Sequence, residues 1–501
     1  MSRRVGILAS VILLFFVAVA AQSANLQFFR AKALDASTIN PRNSEISAST
    51  PRGEIFAADQ TILARSVQVA PGQNVYKRVY PLGALTAGVV GFSSPTYGTW
   101  ALEAEYNSYL TAHAQPPQSL AQVLAPTSAA DNITLTLEPS LQRIAQVGLA
   151  GRDGAAVVLN PQNGDILAMY SNPTYDPAPF TSYVYKVDAA AWKKDTTNNA
   201  HGFPPLGLVA TQQTFPPGST FKIVTTSGVV VSMPQLLTKF YPKLTFTHLP
   251  NSNKTLSNYA YELCGGTIAE MLPPSCDTGF ALVGLDLGGT NLATAANNYG
   301  YNEVPPIDLP GAVASYFPTA ASFTYNQPQL AYSAIGQENV RTSALMNALV
   351  AGTVANKGVE MTPHLLNYVT SPDGAIVKRY KPTVWKTPLT PSQASFINGL
   401  MVQVVSSVVG TAHGVFPANL DVGAKTGTSQ VGNGVQNTDD WMIAFAPATK
   451  PTIALAVVVP FQKTSATGNS VAGPIMQCLV EGTLALQSGL PATGTSTTCA
   501  G

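Results

Sequence analysis

Charge is scarce in this chain. Only 11% of its 501 residues are Asp, Glu, Lys or Arg, against about a quarter in ordinary soluble proteins. With 27 basic and 26 acidic residues the formal net charge is +1, a balance that gives no electrostatic case for binding nucleic acid. Histidine is rarer still: there are five, none beside a motif, which argues against a Ser-His-Asp triad. H-E-x-x-H, the G-x-S-x-G elbow and the phosphate-binding loop are all missing. The four cysteines form no C-x-x-C pair, and no histidines stand at zinc-ligand spacing, so the sequence implies neither a metal nor any other cofactor.

Apolar residues make up 46% of the chain, enough for a large core and more than one domain. Arg3 and Arg4 precede an uncharged apolar run from Val5 to Ala21. That pattern predicts a membrane anchor over residues 1–24 with everything downstream exported. A cleaved signal peptide is the alternative, since Ala18-Val19-Ala20 resembles a peptidase site. Residues 25–132 are irregular, rich in Pro, Gly and Tyr, and end in a polar linker-like stretch from Gln118 to Asn132. Residues 133–485 read as a second domain and 486–501 as a loose tail. In that domain Leu141 to Leu149 has helical spacing, and apolar runs on either side of Asn163-Gly164 predict a hairpin. Strands are expected at about Ala418 to Gly427, Trp441 to Ala446 and Ile453 to Val459, with a mainly helical middle from Phe221 to Ala355. Strands that open and close a domain around helices suggest an α+β fold, a mainly antiparallel sheet flanked by helices. Export favours disulfides. Residues 265–275 contain two glycines and two prolines, so the chain can turn back and join Cys264 to Cys276; buried free thiols are the alternative.

Three short motifs carry chemistry. In FPPGSTFKIV, Ser219 and Lys222 stand at i and i+3 where a helix is expected to begin, on one face. Serine is a poor nucleophile without a base, and a lysine buried among Phe221, Ile223 and Val224 would have the depressed pKa that a base needs. Ser275-Cys276-Asp277 opens a helical stretch. A hydroxyl there suits proton relay to a leaving amine, and equally suits an ordinary helix N-cap. Lys425-Thr426-Gly427-Thr428 sets one cation and two hydroxyls along a strand, which suits a carboxylate, with Gly427 admitting a close backbone. Each motif alone is common.

In this order, the three resemble the penicillin-recognising serine transferases and hydrolases. Ala334-Ile335-Gly336-Gln337, Ala355-Asn356-Lys357-Gly358, Pro363-His364 and Asp440-Trp441 with Phe445-Ala446-Pro447 are similar to further stretches of that family. Pro51-Arg52-Gly53-Glu54-Ile55, Tyr97-Gly98 and Leu102-Glu103 resemble the anchor-proximal pedestal of the class B penicillin-binding proteins, closest to the short penicillin-binding protein A type. The resemblance implies a transpeptidase fold with a five-stranded sheet, preceded by a membrane helix and a β-rich pedestal in which Arg52 and Glu103 form a structural ion pair. It implies that Ser219 attacks between two D-alanines of a wall stem peptide and that Lys222 takes its proton. Ser275 would relay a proton to the departing D-alanine, and Lys425, Thr426 and Thr428 would hold the carboxylate. The amides of Ser219 and Thr428 would form an oxyanion hole, and β-lactams would trap Ser219. A polytopic membrane glycan polymerase is the implied partner. The family usually has Asn where this chain has Asp277; an ionised Asp only accepts hydrogen bonds and is able to pair with Lys222 and raise its pKa. The rival readings are a D,D-carboxypeptidase or β-lactamase and a non-catalytic β-lactam sensor or wall scaffold.

Overall fold

The computed structural model describes residues 12–19, 22–23, 49–114, 128–431, 437–463 and 465–492. Among the described residues no helix is long and apolar enough to cross a membrane, and most of the expected anchor and tail, with much of the linker, lies outside them. The strands of the two principal sheets are, in chain order, β1 (Ile55–Phe56), β2 (Ile62–Gln68), β3 (Tyr76–Val79), β4 (Asn132–Leu135), β5 (Gly154–Leu159), β6 (Ile166–Asn172), β7 (Leu366–Thr370), β8 (Ile376–Arg379), β9 (Gly423–Val431), β10 (Asn437–Ala446) and β11 (Ile453–Lys463). The helices that matter for the site are α1 (Pro139–Leu149), α2 (Lys222–Ser232), α3 (Asp277–Asn298), α4 (Ala344–Ala355), α5 (Pro391–Ser406) and α6 (Gly468–Gln487).

A five-stranded sheet runs in the order β6-β5-β11-β10-β9, and every neighbouring pair is antiparallel. Its inner strands are apolar on both faces, as a sheet sandwiched between helices requires. Side-chain alternation divides them between two cores. Ala155, Val157, Leu159, Ala454, Ala456 and Val458 enter one core, while Ala156, Val158, Leu455, Val457 and Val459 enter the other. Helix α4 packs on the first face, and α1 and α6 on the second. The turn between β5 and β6 sits where Asn163-Gly164 predicts it, with Gly164 at φ +86°, a conformation that favours glycine.

The second sheet has six strands in the order β8-β7-β4-β1-β2-β3, with β1 and β4 parallel. Strands β7 and β8 come from residues 366–379, far past the expected boundary at 132, so this sheet is built from both parts of the chain. Beside it a buried cluster holds the N-terminal region together. Glu103 accepts from Arg52 at 2.8 Å, Arg78 at 2.6 Å and the Tyr80 hydroxyl at 3.2 Å. Burial pushes the Glu103 carboxyl up, but Arg78 and Arg52 together reverse this and hold it below its ordinary range.

Two expectations need refinement. The middle of the second domain is mainly helical, but residues 241–266 form two short antiparallel ribbons, Tyr241–Leu244 with Cys264–Gly266 and Phe246–His248 with Thr255–Ser257. Pro242, Pro250 and the polar turn around Asn251 break any helix there. The strand expected from Ala418 starts at Gly423, because Asp421 is taken up in bonds to the loop at Ala448 and Thr449.

Candidate active site

The turn that carries Ser219 is shaped by what holds Gly218. Its φ is +52°, and its amide donates to the Gly336 carbonyl at 2.9 Å. Ser219 then lies in a 3₁₀ turn, Gly218–Phe221, rather than in the α-helix, which begins at Lys222. In a 3₁₀ turn residues i and i+3 eclipse, and the Lys222 Nζ stands 3.0 Å from the Ser219 Oγ. Ser219 is partly exposed while Lys222 is fully buried. The turn is tied down on its far side, where the Pro216 carbonyl accepts from Trp441 Nε1 at 2.9 Å and Ser429 Oγ at 2.7 Å.

The second motif arrives on the N-terminus of α3. Ser275 has φ +61°, a left-handed conformation that costs a non-glycine residue energy and persists only where neighbours enforce it. Lys222 Nζ donates to its carbonyl at 2.7 Å and reaches its Oγ at 3.2 Å. Cys276 is joined to Cys264 by a disulfide; Cys478 is disulfide-bonded too, and Cys499 lies outside the described residues.

The third motif lies on β9, the edge strand. Lys425 is fully buried and donates to Ser275 Oγ at 2.8 Å and to the Thr426 carbonyl at 3.0 Å. Ser275 Oγ thus faces two lysine donors. With both its lone pairs engaged, its own proton is left to donate outward. Thr426 Oγ1 is 2.6 Å from Thr411 Oγ1, and Thr428 Oγ1 accepts from the Gly468 amide at 3.0 Å. The reason for Gly427 is internal: a Cβ there would come within 2.6 Å of the Pro217 carbonyl, so the glycine lets β9 close on the turn that carries Ser219.

Asp277 pairs with Lys222, Oδ1 to Nζ 2.6 Å, and is 3.5 Å from Ser219 Oγ. The two effects on Lys222 oppose each other. Burial lowers its pKa, Asp277 raises it, and burial prevails, so the amine stays below its ordinary range. Burial, and then the nearby Lys222, push Lys425 well down; Asp277 acts in the opposite sense. A buried amine of lowered pKa beside a hydroxyl, with a second hydroxyl between two amines, is equipped to move protons during acyl transfer.

Ser219, Lys222, Ser275, Asp277 and Lys425 therefore meet in one hydrogen-bonded cluster, although they span more than 200 positions of sequence. Thr426, Gly427 and Thr428 flank it. Sequence reasoning missed Thr411, whose amide also donates to the Pro273 carbonyl at 3.0 Å and so bridges two motifs. It missed Trp441 and Ser429 as props of the turn, and Arg78 as the second partner of Glu103. None of these has a local signature.

Comparison with known proteins gives two matching family models: the penicillin binding protein transpeptidase domain over residues 154–481 and the penicillin binding protein A dimerisation domain over residues 52–130. The peptidoglycan D,D-transpeptidase PbpA of Mycolicibacterium smegmatis is 33% identical, over 96% of this chain and 98% of its own length. PbpA of Mycobacterium tuberculosis is 32% identical over 91% and 94%. The solved structure of penicillin-binding protein A from M. tuberculosis as a penicillin G acyl-enzyme superposes with a TM-score of 0.77 at 30% identity, covering 87% of this chain and 100% of that one. The corresponding ceftriaxone acyl-enzyme gives a TM-score of 0.77, 30% identity, 87% and 98%.

Proposed function

The chain belongs to the penicillin-binding protein transpeptidases, and from that premise we propose that it cross-links peptidoglycan stem peptides through an acyl-enzyme on Ser219, a reaction that β-lactams block. The observation that carries the residue assignment is the buried Lys222 Nζ, 3.0 Å from Ser219 Oγ and within reach of Ser275 Oγ.

The steps follow from that cluster. In its unprotonated form Lys222, whose pKa burial lowers, accepts the Ser219 proton as Oγ bonds to the carbonyl carbon between the two terminal D-alanines. The oxyanion falls to the amides of Ser219 and Thr428, where one donor is worth roughly 3–4 kcal/mol. The C–N bond then breaks. Ser275 passes a proton to the departing amine and is reprotonated from Lys222, its 3.2 Å neighbour. D-Alanine leaves and an ester remains on Ser219. The amine of a second stem peptide attacks the ester, the new amide forms, and Ser219 Oγ regains its proton by the same relay in reverse. The substrate carboxylate is received by Thr426 and Thr428, whose hydroxyls line the edge strand, within the field of Lys425. Asp277 accepts from a substrate N–H, and Lys222, its 2.6 Å donor, competes with that N–H for the carboxylate.

The same reading assigns residues 1–24 to a single-pass anchor, 25–132 to the pedestal, 133–485 to an extracytoplasmic catalytic domain and 486–501 to a tail. It also assigns a polytopic membrane glycan polymerase as the enzyme that supplies the strands. Incubation with a peptide ending in two D-alanines and an excess of an amine acceptor tests the class of reaction. Mass spectrometry should find the amide product in excess over the hydrolysed peptide. Hydrolysis alone would replace this reading with a carboxypeptidase.

A further inference from the structure

Helix α3 has an uncapped start. Its N-cap residue is Cys276, whose side chain caps none of the helix amides and has its sulfur committed to Cys264. The first turn of a helix leaves amides without partners, and here the vacancy is filled from elsewhere in the chain. Asn258, a buried residue at the end of the Thr255–Ser257 ribbon, accepts the Thr278 amide on its Oδ1 at 2.8 Å. Its Nδ2 donates to the carbonyls of Leu244 at 2.7 Å and Glu262 at 2.8 Å. Its main-chain amide bonds the Thr245 carbonyl at 3.0 Å, and its own carbonyl accepts from Tyr261. One primary amide thus fastens the start of α3 to the 241–266 ribbons.

Thr278 follows Asp277 directly and lies three residues past Ser275. Ser275 sits in its left-handed conformation at the mouth of this helix, so whatever fixes the first turn also fixes the hydroxyl between Lys222 and Lys425. We propose that Asn258 is a positioning residue of the active site: by capping α3 from a separate ribbon it holds Ser275 and Asp277 at their distances from Ser219 and Lys222. The proposal rests on the transpeptidase reading, in which those distances matter for acylation. Asn258 itself touches none of the reacting atoms. The side chain has two separable halves: the Oδ1 end serves the catalytic helix, and the Nδ2 end serves only the ribbons.

That division is what the experiment uses. Acylation of the full-length chain by benzylpenicillin is followed by quenched intact-mass analysis across drug concentrations, which separates the limiting rate from the apparent binding constant. Melting temperature is measured alongside. Asn258→Asp keeps an acceptor for Thr278 and loses both Nδ2 bonds; Asn258→Ala loses both ends. The expected result is a lower melting temperature in both variants, but a limiting rate down about ten- to a hundredfold only in Asn258→Ala, with the binding constant little changed. Asn258→Asp should keep most of the rate. Should the alanine variant fail to fold, the aspartate variant decides alone: rate retained despite lost stability supports the proposal. A limiting rate that falls in step with melting temperature in the aspartate variant overturns it and leaves Asn258 a merely structural residue. A wild-type chain that forms no adduct overturns the transpeptidase reading itself, and the proposal with it.

Discussion

Gly336 offers a sharp test of how the nucleophile is held, because Gly336→Ala adds one methyl group directly behind it. A Cβ at this position would lie 2.2 Å from the Gly218 carbonyl oxygen and 2.7 Å from the Phe221 Cβ, where real contacts essentially never fall below 3.0 Å. The oxygen must therefore retreat by about 0.8 Å, or Gly336 must move and loosen the 2.9 Å bond that the Gly218 amide makes to its carbonyl. Gly336 also has φ +74°, which adds about 1–2 kcal/mol of backbone strain for alanine. The retreating oxygen belongs to the Gly218–Ser219 peptide, and the other end of that rigid plane is the Ser219 N–H. Displacing it withdraws the amide that the proposed mechanism assigns to the oxyanion and shifts Oγ relative to Lys222. A misplacement near 1 Å costs about 10²-fold in rate, and loss of one donor about 10²–10³-fold. The limiting rate of penicillin acylation should therefore fall about 10²-fold, far more than strain of that size would shift a melting curve. An alanine variant that acylates within about threefold of wild type would refute this account of the turn.

Three other expectations follow from burial and connectivity. Glu103→Ala leaves the buried guanidiniums of Arg52 and Arg78 without their shared partner, and should cost about 3–5 kcal/mol in denaturant unfolding of the N-terminal region; an unchanged midpoint would show the ion-pair cluster to be dispensable. Cys276→Ser opens a loop whose closure contributes about 3 kcal/mol in the chain-entropy model, and it frees the residue between Ser275 and Asp277; acylation should slow even at temperatures where the variant is fully folded, and an unaltered rate there would show that the bond does not position those two residues. Glu360 is buried with its pKa pushed up to about 8, burial being the main cause. Its folded pKa lies above its unfolded one, so the unfolded state sheds the proton first and stability falls as pH rises from about 4.5 to 8. Glu360→Gln should flatten that part of the melting profile, and an identical slope would remove Glu360 as its source.

Much of the site was legible because its chemistry is carried by contiguous motifs. Ser219 and Lys222, Ser275 and Asp277, and Lys425 to Thr428 each announce a local geometry, and the structure brings all three motifs together. Even the Lys222–Asp277 pair could be read from the replacement of Asn by Asp. Its consequence could not: the balance between burial, which lowers the lysine, and Asp277, which raises it, depends on three-dimensional packing. The same holds for Gly427, which reads as room for a ligand and in fact makes room for Pro217. Thr411 and Asn258 act through bonds between separate segments that leave no local pattern, and the bond from Trp441 to Pro216 spans 225 residues. In the fold, the apolar runs of β5 and β11 and the turn at Gly164 were visible. The return of β7 and β8 to the N-terminal sheet was not, since pairing between strands more than 200 residues apart has no local trace.

The central claim is that Ser219 is the acyl-accepting nucleophile. Intact-mass analysis of the full-length chain after exposure to benzylpenicillin tests it most directly. The account predicts a single adduct of the drug's mass, mapped to the peptide that carries Ser219, and no adduct on Ser219→Ala; an adduct that survives that substitution, or one that maps to another residue, would contradict it.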